Sequence, residues 1–157
     1  MEIVDKNRLE KVKARFGIEP LRPNFKFAAF KKVLQDRKAP IKAVLMDQSK
    51  IAGIGNIYAD EILFLARIMP DRPAGSLGEN ELKKLFSVCE IVLKKAIKYR
   101  GTTFSDYCDT EGKKGNFTQF LQVYGRKEGE KCLKCSGIIK KMKIGGRSTK
   151  YCEGCQK

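Results

Sequence analysis

The sequence predicts a mainly α-helical protein, a small bundle of helices followed at the C-terminus by a β-hairpin module. Apolar residues recur at helical spacing through residues 77–99, and a glycine-bracketed turn, Gly53-Ile54-Gly55, precedes a second apolar helix that starts at Asn56. Two close cysteine pairs frame a stretch of 16 residues near the C-terminus, which is long enough to fold back as a hairpin. A chain of 157 residues can hold one sizeable core and a small module beside it.

The helices can be placed in chain order from caps, prolines and apolar spacing. A short helix or linker over residues 5–16 is followed by an extended connector, because Pro20 and Pro23 disfavour helix there. Asn24 is expected to cap the next helix, and Pro40 suits the first turn of a short helix that covers Ile41 to Met46. The predicted helices after the connector are 24–36, 41–46, a helix from 56 to Pro70, and 77–99.

The longest of these helices carries one apolar stripe, which is expected to face the core. Its members are Leu82, Leu85, Phe86, Cys89, Val92, Leu93, Ala96 and Ile97. Cys89 and the other unpaired cysteine, Cys108, are both expected to be small buried apolar side chains without a chemical role.

The two cysteine pairs have the spacing C-x2-C-x16-C-x2-C, which is typical of a tetrahedral structural zinc site. The predicted ligands are Cys132, Cys135, Cys152 and Cys155. The basic segment between the pairs has Gly145-Gly146-Arg147 near its middle, and a glycine turn that carries an arginine is suited to contact a phosphate. The alternative is that the zinc only staples a small C-terminal lobe.

The turn at Gly53 and Gly55 supports two interpretations. A glycine-bracketed turn that opens a helix leaves bare backbone N–H groups and a positive dipole end, and both attract phosphate. An ordinary tight helix–helix turn has the same composition.

Charge and composition narrow the class of partner. Lys and Arg total 33 against 18 Asp and Glu, a formal net charge of +15, which favours a polyanion such as DNA, RNA or an anionic membrane surface. No stretch approaches the roughly 20 apolar residues of a membrane-spanning helix, and no secretory signal is visible. The cysteines look like metal ligands rather than a disulfide framework, which fits a reducing cytosol. The chain has no histidine, which excludes imidazole catalysis.

Two segments together resemble the formamidopyrimidine-DNA glycosylase family of bacterial repair enzymes. They are Gly53-Ile54-Gly55-Asn56-Ile57-Tyr58-Ala59-Asp60-Glu61, and Leu121-Gln122-Val123-Tyr124-Gly125-Arg126 leading into the four cysteines. The resemblance implies a helix–two-turns–helix motif centred on the glycine turn, and it runs from about Phe16 to Lys157. The Val-Tyr-Gly-Arg run favours this family over its relative endonuclease VIII.

The resemblance also implies what the chain does not contain. The family begins with a β-sandwich domain whose N-terminal proline supplies the nucleophilic amine, whereas this sequence starts Met1-Glu2-Ile3-Val4. The chain is therefore expected to match the C-terminal half only and to be inactive alone, with that N-terminal catalytic domain as a further partner. The whole enzyme would excise oxidised purines from DNA as a glycosylase and cut the abasic product as a lyase, in base excision repair.

The resemblance assigns DNA-contacting roles to individual residues. Asn56 at the helix start and Arg147 at the finger tip would bind phosphates of double-stranded, damaged or abasic DNA, and Lys42 and Tyr124 match positions that approach phosphates. The segment that closes over an extruded base would include Gly115, Asn116, Phe117 and Thr118. No catalytic residue is expected in this chain, and no membrane partner.

The expected domains are a linker or short helix over 1–23, a helix–two-turns–helix DNA-binding domain over 24–128 and a four-cysteine zinc finger over 129–157. Two other functions remain open at this point. One is a weak abasic-site lyase that uses a lysine amine to form a Schiff base. The other is a general zinc-ribbon protein that binds nucleic acid, RNA included.

Overall fold

The computed structural model of the protein describes residues 14–102 and 115–157. The predicted helix or linker at 5–16 lies almost entirely outside these residues, as does Cys108. The described chain forms four α-helices and one two-stranded antiparallel sheet, in the order α1 Phe27–Leu34, α2 Ile41–Met46, α3 Asn56–Ala66, α4 Glu79–Lys98, β1 Lys140–Ile144 and β2 Arg147–Tyr151. Short 3-10 helices lie at Ala74–Ser76 and Phe117–Phe120. The mainly α fold class with a C-terminal hairpin is confirmed.

Helix α1 begins later than the sequence suggested. Asn24 does not cap it, because the Phe25 N–H donates to the Arg22 carbonyl in a preceding turn and the helix starts only at Phe27. Lys26 is the residue before the helix, and its side chain makes no capping hydrogen bond. The short helix α2 has the predicted bounds, with Pro40 directly before its first residue.

The turn between α2 and α3 is closed by one side chain. The Gln48 amide oxygen accepts from the Gly53 N–H at 2.8 Å, while the Gln48 amide nitrogen donates to the carbonyls of Ile54 and Met46. Gly53 has a φ of 88°, a conformation that glycine adopts without steric cost. Gly55, still extended, precedes the first residue of α3, so the sharp entry into α3 depends on these glycines and on Gln48.

The bundle core lies between all four helices, and α2 contributes Ile41, Val44 and Leu45 to it. Phe25 stacks on Phe86 with ring centroids 4.6 Å apart, and Phe30 packs against both rings. Most of the predicted stripe of α4 faces this core. Ile97 does not: 69% of it is exposed, because it lies in the last turn beside an open depression that Leu21 and Arg100 also line.

A second, smaller core joins the bundle to the hairpin module. It consists of Phe64 from α3 and of Val123, Cys132, Ile139 and Cys152. Helix α3 therefore contributes to both cores. Among the helices of the described residues, none is long and apolar enough to cross a lipid bilayer.

Leu85 and Ile97 allow a direct test of this packing, because both lie on α4 and both were expected in the core. Replacing fully buried Leu85 with Ala should lower the free energy of unfolding by about 2–5 kcal/mol, since the change leaves a cavity. The matched change Ile97→Ala should alter it by less than about 0.5 kcal/mol. Urea denaturation of the zinc-loaded protein measures both, and equal losses would contradict the placement of Ile97.

Candidate zinc site and nucleic-acid interface

The four predicted cysteine ligands converge on one point. Their sulfur atoms all lie within 4.8 Å of one another. The Sγ atoms of Cys132 and Cys155 are 3.7 Å apart, and those of Cys135 and Cys152 are 3.5 Å apart. Zn–S bonds of about 2.3 Å in a tetrahedron require sulfur separations of about 3.8 Å, so the four thiolates fit one structural zinc ion.

The surroundings of the sulfurs also suit a metal centre. Backbone N–H groups of Lys134 and Gly137 donate to the sulfurs of Cys132 and Cys135, which stabilises thiolates. A Cβ at Gly154 would lie 2.9 Å from the Cys135 sulfur, so only glycine fits there. Cys89, by contrast, is buried in the bundle, and burial raises the pKa of its thiol to about 12, as expected for an inert apolar side chain.

The hairpin brings Arg147 close to the start of α3. Strands β1 and β2 pair from Lys140 opposite Tyr151 to Ile144 opposite Arg147, and the two-residue turn is Gly145-Gly146, both with positive φ as a tight hairpin turn requires. Arg147 is the first residue of β2 and is exposed. With Gly145 it forms one wall of a cleft of about 470 Å³ whose other wall includes Gly55 and Asn56.

The α3 side of this cleft has an unusual polar atom. The Asn56 Oδ1 atom is buried and has no hydrogen-bond partner within residues 14–102 and 115–157. The backbone N–H groups of the first turn of α3 lack intrahelical partners, as at any helix start. The Asn56 amide N–H groups, the bare backbone N–H groups and the exposed Arg147 guanidinium are all donors beside the same cleft, and together they are suited to an anion such as phosphate, whereas the Asn56 Oδ1 atom is an acceptor and needs a donor instead.

Lys42 lies elsewhere. Its side chain is fully buried, and its ammonium nitrogen lies 2.7 Å from the Asp60 carboxylate, 2.8 Å from the Thr149 hydroxyl and 3.2 Å from the Ser148 carbonyl oxygen. Burial lowers the pKa of the Lys42 ammonium and raises the pKa of the Asp60 carboxyl, and each partner's charge opposes the shift in the other. Three partners thus surround the amine in the interior, and the expectation that Lys42 approaches a phosphate stays a prediction.

Tyr124 precedes the zinc module and is half-buried. Its backbone N–H donates to the Glu61 carboxylate at 2.8 Å, and the N–H groups of Gln122 and Val123 donate to the same carboxylate at 2.8 and 2.9 Å. Burial raises the pKa of Glu61, while the three backbone donors act against that shift. Glu61 thereby fixes the segment that enters the module against α3.

Gly115, Asn116, Phe117 and Thr118 form the described end of the predicted base-closing segment. The Asn116 and Phe117 N–H groups donate to the carbonyls of Tyr99 and Gly101, which anchors the segment on the end of α4. Phe117 is buried and packs edge-on against Tyr58 at 5.6 Å. Phe117 is therefore a core side chain, and the assignment of this segment to base recognition stays a prediction.

Sequence reasoning missed Asp60 and Glu61 as site residues. The signal for them was present, because two adjacent acidic residues interrupt an otherwise apolar helix at Tyr58-Ala59-Asp60-Glu61-Ile62. Carboxylates among buried positions need several donors or a cation, which the spacing alone does not identify.

Comparison with known proteins decides the family. The model of the formamidopyrimidine-DNA glycosylase H2TH domain matches residues 16–107, and that of the zinc finger found in FPG and IleRS matches residues 129–157. The chain belongs to the formamidopyrimidine-DNA glycosylase family. The four clustered cysteines lie within this finger and fit one structural zinc ion.

Relatives and solved structures agree with this assignment. The formamidopyrimidine-DNA glycosylase of Heliobacterium modesticaldum is 48% identical over 145 residues, which are 92% of this chain and 52% of the relative. That of Syntrophomonas wolfei is 50% identical over 143 residues, 91% of this chain and 53% of the relative. The chain thus spans about half the length of the curated relatives it matches.

The MutM (Fpg) protein of Thermus thermophilus superposes with a TM-score of 0.88 at 41% identity, covering 96% of this chain and 57% of that structure. The Lactococcus lactis Fpg in complex with DNA that contains an abasic site also gives 0.88, at 36% identity, covering 98% of this chain and 57% of that one.

Zinc removal tests the metal site. The purified protein should contain one zinc per chain by plasma mass spectrometry. Cys152→Ser should abolish stoichiometric binding, because it removes one of the four thiolates. Since metal binding contributes on the order of 10 kcal/mol to folding of such modules, the module should also lose its fold. Cys89→Ala is the matched control and should retain the zinc. A Cys152→Ser variant that keeps a full equivalent of metal would contradict the ligand set.

Proposed function

We propose that this chain binds double-stranded DNA at damaged or abasic sites, as the DNA-binding part of a formamidopyrimidine-DNA glycosylase. The observation that carries the proposal is the cleft in which the start of α3, with its backbone N–H groups and the Asn56 side chain, faces Arg147 of the hairpin. A formal net charge of +15 supports a polyanionic partner. The bacterial Lactococcus lactis relative, which shares this fold, was solved with abasic-site DNA.

Each side of the cleft would contribute a different kind of contact. Arg147 offers a charged fork of N–H donors, which suits two oxygens of one phosphate. The start of α3 offers backbone N–H groups and the Asn56 side chain, which bind phosphate without a net charge. Contacts of this kind fix the register of a protein on the duplex but read little sequence, so they suit a protein that must act wherever damage occurs.

The activity of the whole enzyme would require a second domain. We propose that excision of oxidised purines and cleavage at the abasic product take place when this chain is joined to the domain that supplies the nucleophilic amine. Tyr124 is proposed as an additional phosphate contact, and the segment that includes Gly115, Asn116, Phe117 and Thr118 as part of base recognition. The proposed domains remain 1–23, 24–128 and 129–157, and the proposed location is the bacterial cytoplasm with the DNA.

Salt dependence tests the proposal most directly. Fluorescence anisotropy should show binding to a duplex with one tetrahydrofuran abasic-site analogue, with the logarithm of affinity falling against the logarithm of salt at a slope near −3 to −4 if about four phosphates are neutralised. Single-stranded RNA of equal length should bind more weakly. Equal binding of RNA would favour a general zinc-ribbon protein instead.

Two variants separate the sides of the cleft. Arg147→Ala should weaken duplex binding by roughly 10- to 100-fold, as for a charge-assisted hydrogen bond, and should make the salt slope shallower by about 1. Asn56→Ala should weaken binding without changing the slope, because it removes no charge.

Lys83→Ala is the control for charge. Lys83 is exposed on α4, outside the cleft, and pairs with Glu79. Its loss should change affinity by less than about threefold, as expected for a distant screened charge. If Arg147→Ala has no larger effect than Lys83→Ala, the cleft is not the site of DNA contact.

A further inference from the structure

A buried ion pair lies at the point where α2, α3 and β2 meet. Lys42 comes from α2, Asp60 from α3, and both side chains are fully buried at 2.7 Å from each other. The Lys42 ammonium also donates to the Thr149 hydroxyl at 2.8 Å and to the Ser148 carbonyl at 3.2 Å, while the second oxygen of Asp60 accepts from the Lys150 backbone N–H at 2.9 Å. The pair therefore bonds three consecutive residues of β2.

Stability alone does not explain the presence of this pair. Removing two charges from water costs several kcal/mol each, and well-packed apolar residues of similar volume are often at least as stable at such sites. Apolar residues could fill the space between α2 and α3 equally well. They could not bond the Ser148 carbonyl and the Lys150 N–H, which lie on the backbone of the hairpin. Because the pair makes directional hydrogen bonds to the backbone of β2, it fixes where β2 lies along α3.

The position of β2 determines the position of Arg147. Arg147 directly precedes Ser148 and follows the glycine turn, so the pair anchors the chain at the very next residue. Asn56 lies on the same helix as Asp60, four residues earlier, which is about one helical turn. One carboxylate on α3 therefore ties the hairpin at a set distance from the start of that helix, where the cleft lies.

We propose that Lys42 and Asp60 are positioning residues for DNA binding: they hold Arg147 and Asn56 at the separation at which both contact the DNA backbone. This inference rests on the proposed DNA-binding function. Neither side chain touches DNA, since both act from the interior through β2. Thr149 shares this role through its buried hydroxyl.

Thermodynamic coupling separates positioning from simple support of the fold. In the variant Lys42→Met/Asp60→Asn both charges are removed together, so neither is left buried and unpaired. The Arg147→Ala change, expected to weaken duplex binding 10- to 100-fold in the wild-type chain, should weaken it less than threefold in this background, because Arg147 is already displaced. Affinities for the abasic duplex are measured for all four members of the cycle.

Thr149 provides a milder test with a matched control. Thr149→Val keeps the shape and removes only the hydroxyl, and should reduce the effect of Arg147→Ala at least twofold. Thr149→Ser retains the hydroxyl and should restore the wild-type effect. These two variants decide the question if Lys42→Met/Asp60→Asn does not fold. Cobalt substitution, read by the tetrahedral thiolate absorption bands, and thermal unfolding verify the metal site and fold in each variant.

The outcomes distinguish the two proposals. If Arg147→Ala weakens binding by the same factor in the wild-type chain and in every folded variant of the pair and of Thr149, the positioning role is overturned and the proposed function stands. If Arg147→Ala has no effect in the wild-type chain, the proposed DNA contact fails, and the positioning role fails with it. Lys83 is an exposed charge outside the network, so the effects of Lys83→Ala and Arg147→Ala on the free energy of binding should be additive.

Discussion

Helix α3 is the element on which the remaining structure depends, because it is buried on nearly all sides and belongs to both hydrophobic cores. Six consecutive residues, Ala59 to Phe64, are buried, and two of them are carboxylates. An ionised carboxylate in such a place is costly unless it is paired and hydrogen-bonded. Asp60 meets Lys42 and the hairpin backbone, and Glu61 meets three N–H groups before the zinc module. Burial of α3 and docking of the module therefore depend on each other.

The zinc module needs this support as well as its metal. Two strands of five residues form at most a marginal structure in isolation. The four thiolates close the ends of the module, but they do not determine how it lies on the bundle. That orientation comes from the two carboxylates of α3 and from a third attachment, where the Gln156 side chain donates to the Ile68 carbonyl and accepts from the Cys152 N–H. The metal thus holds the module together, and the docking contacts determine its orientation on the bundle.

The sequence predicted the elements better than the contacts between them. Helix α2, the hairpin and the four ligands follow from local signals, namely a proline before a helix, a glycine pair and cysteine spacing. Ile97 was placed in the core because periodicity continues to the end of a helix, whereas burial ends where the neighbouring elements end. The resemblance matched Lys42 to a position that approaches phosphates and said nothing of its buried partners, which lie 18 and more than 100 residues away along the chain. Buried networks of this range have no local pattern.

The placement of Lys42 bears on how a protein with 33 basic residues binds DNA in a fixed register as well as by non-specific electrostatic attraction. Most exposed lysines contribute to the field that draws a polyanion towards the surface, and each must lose side-chain freedom to make a lasting contact. A donor on a rigid backbone pays less of that cost. Arg147 lies between a tight glycine turn and a strand that buried charges hold, and Asn56 is held by its helix. In the proposed positioning role, buried Lys42 thus contributes to the register of binding through β2, whereas an exposed lysine contributes mainly to the attraction.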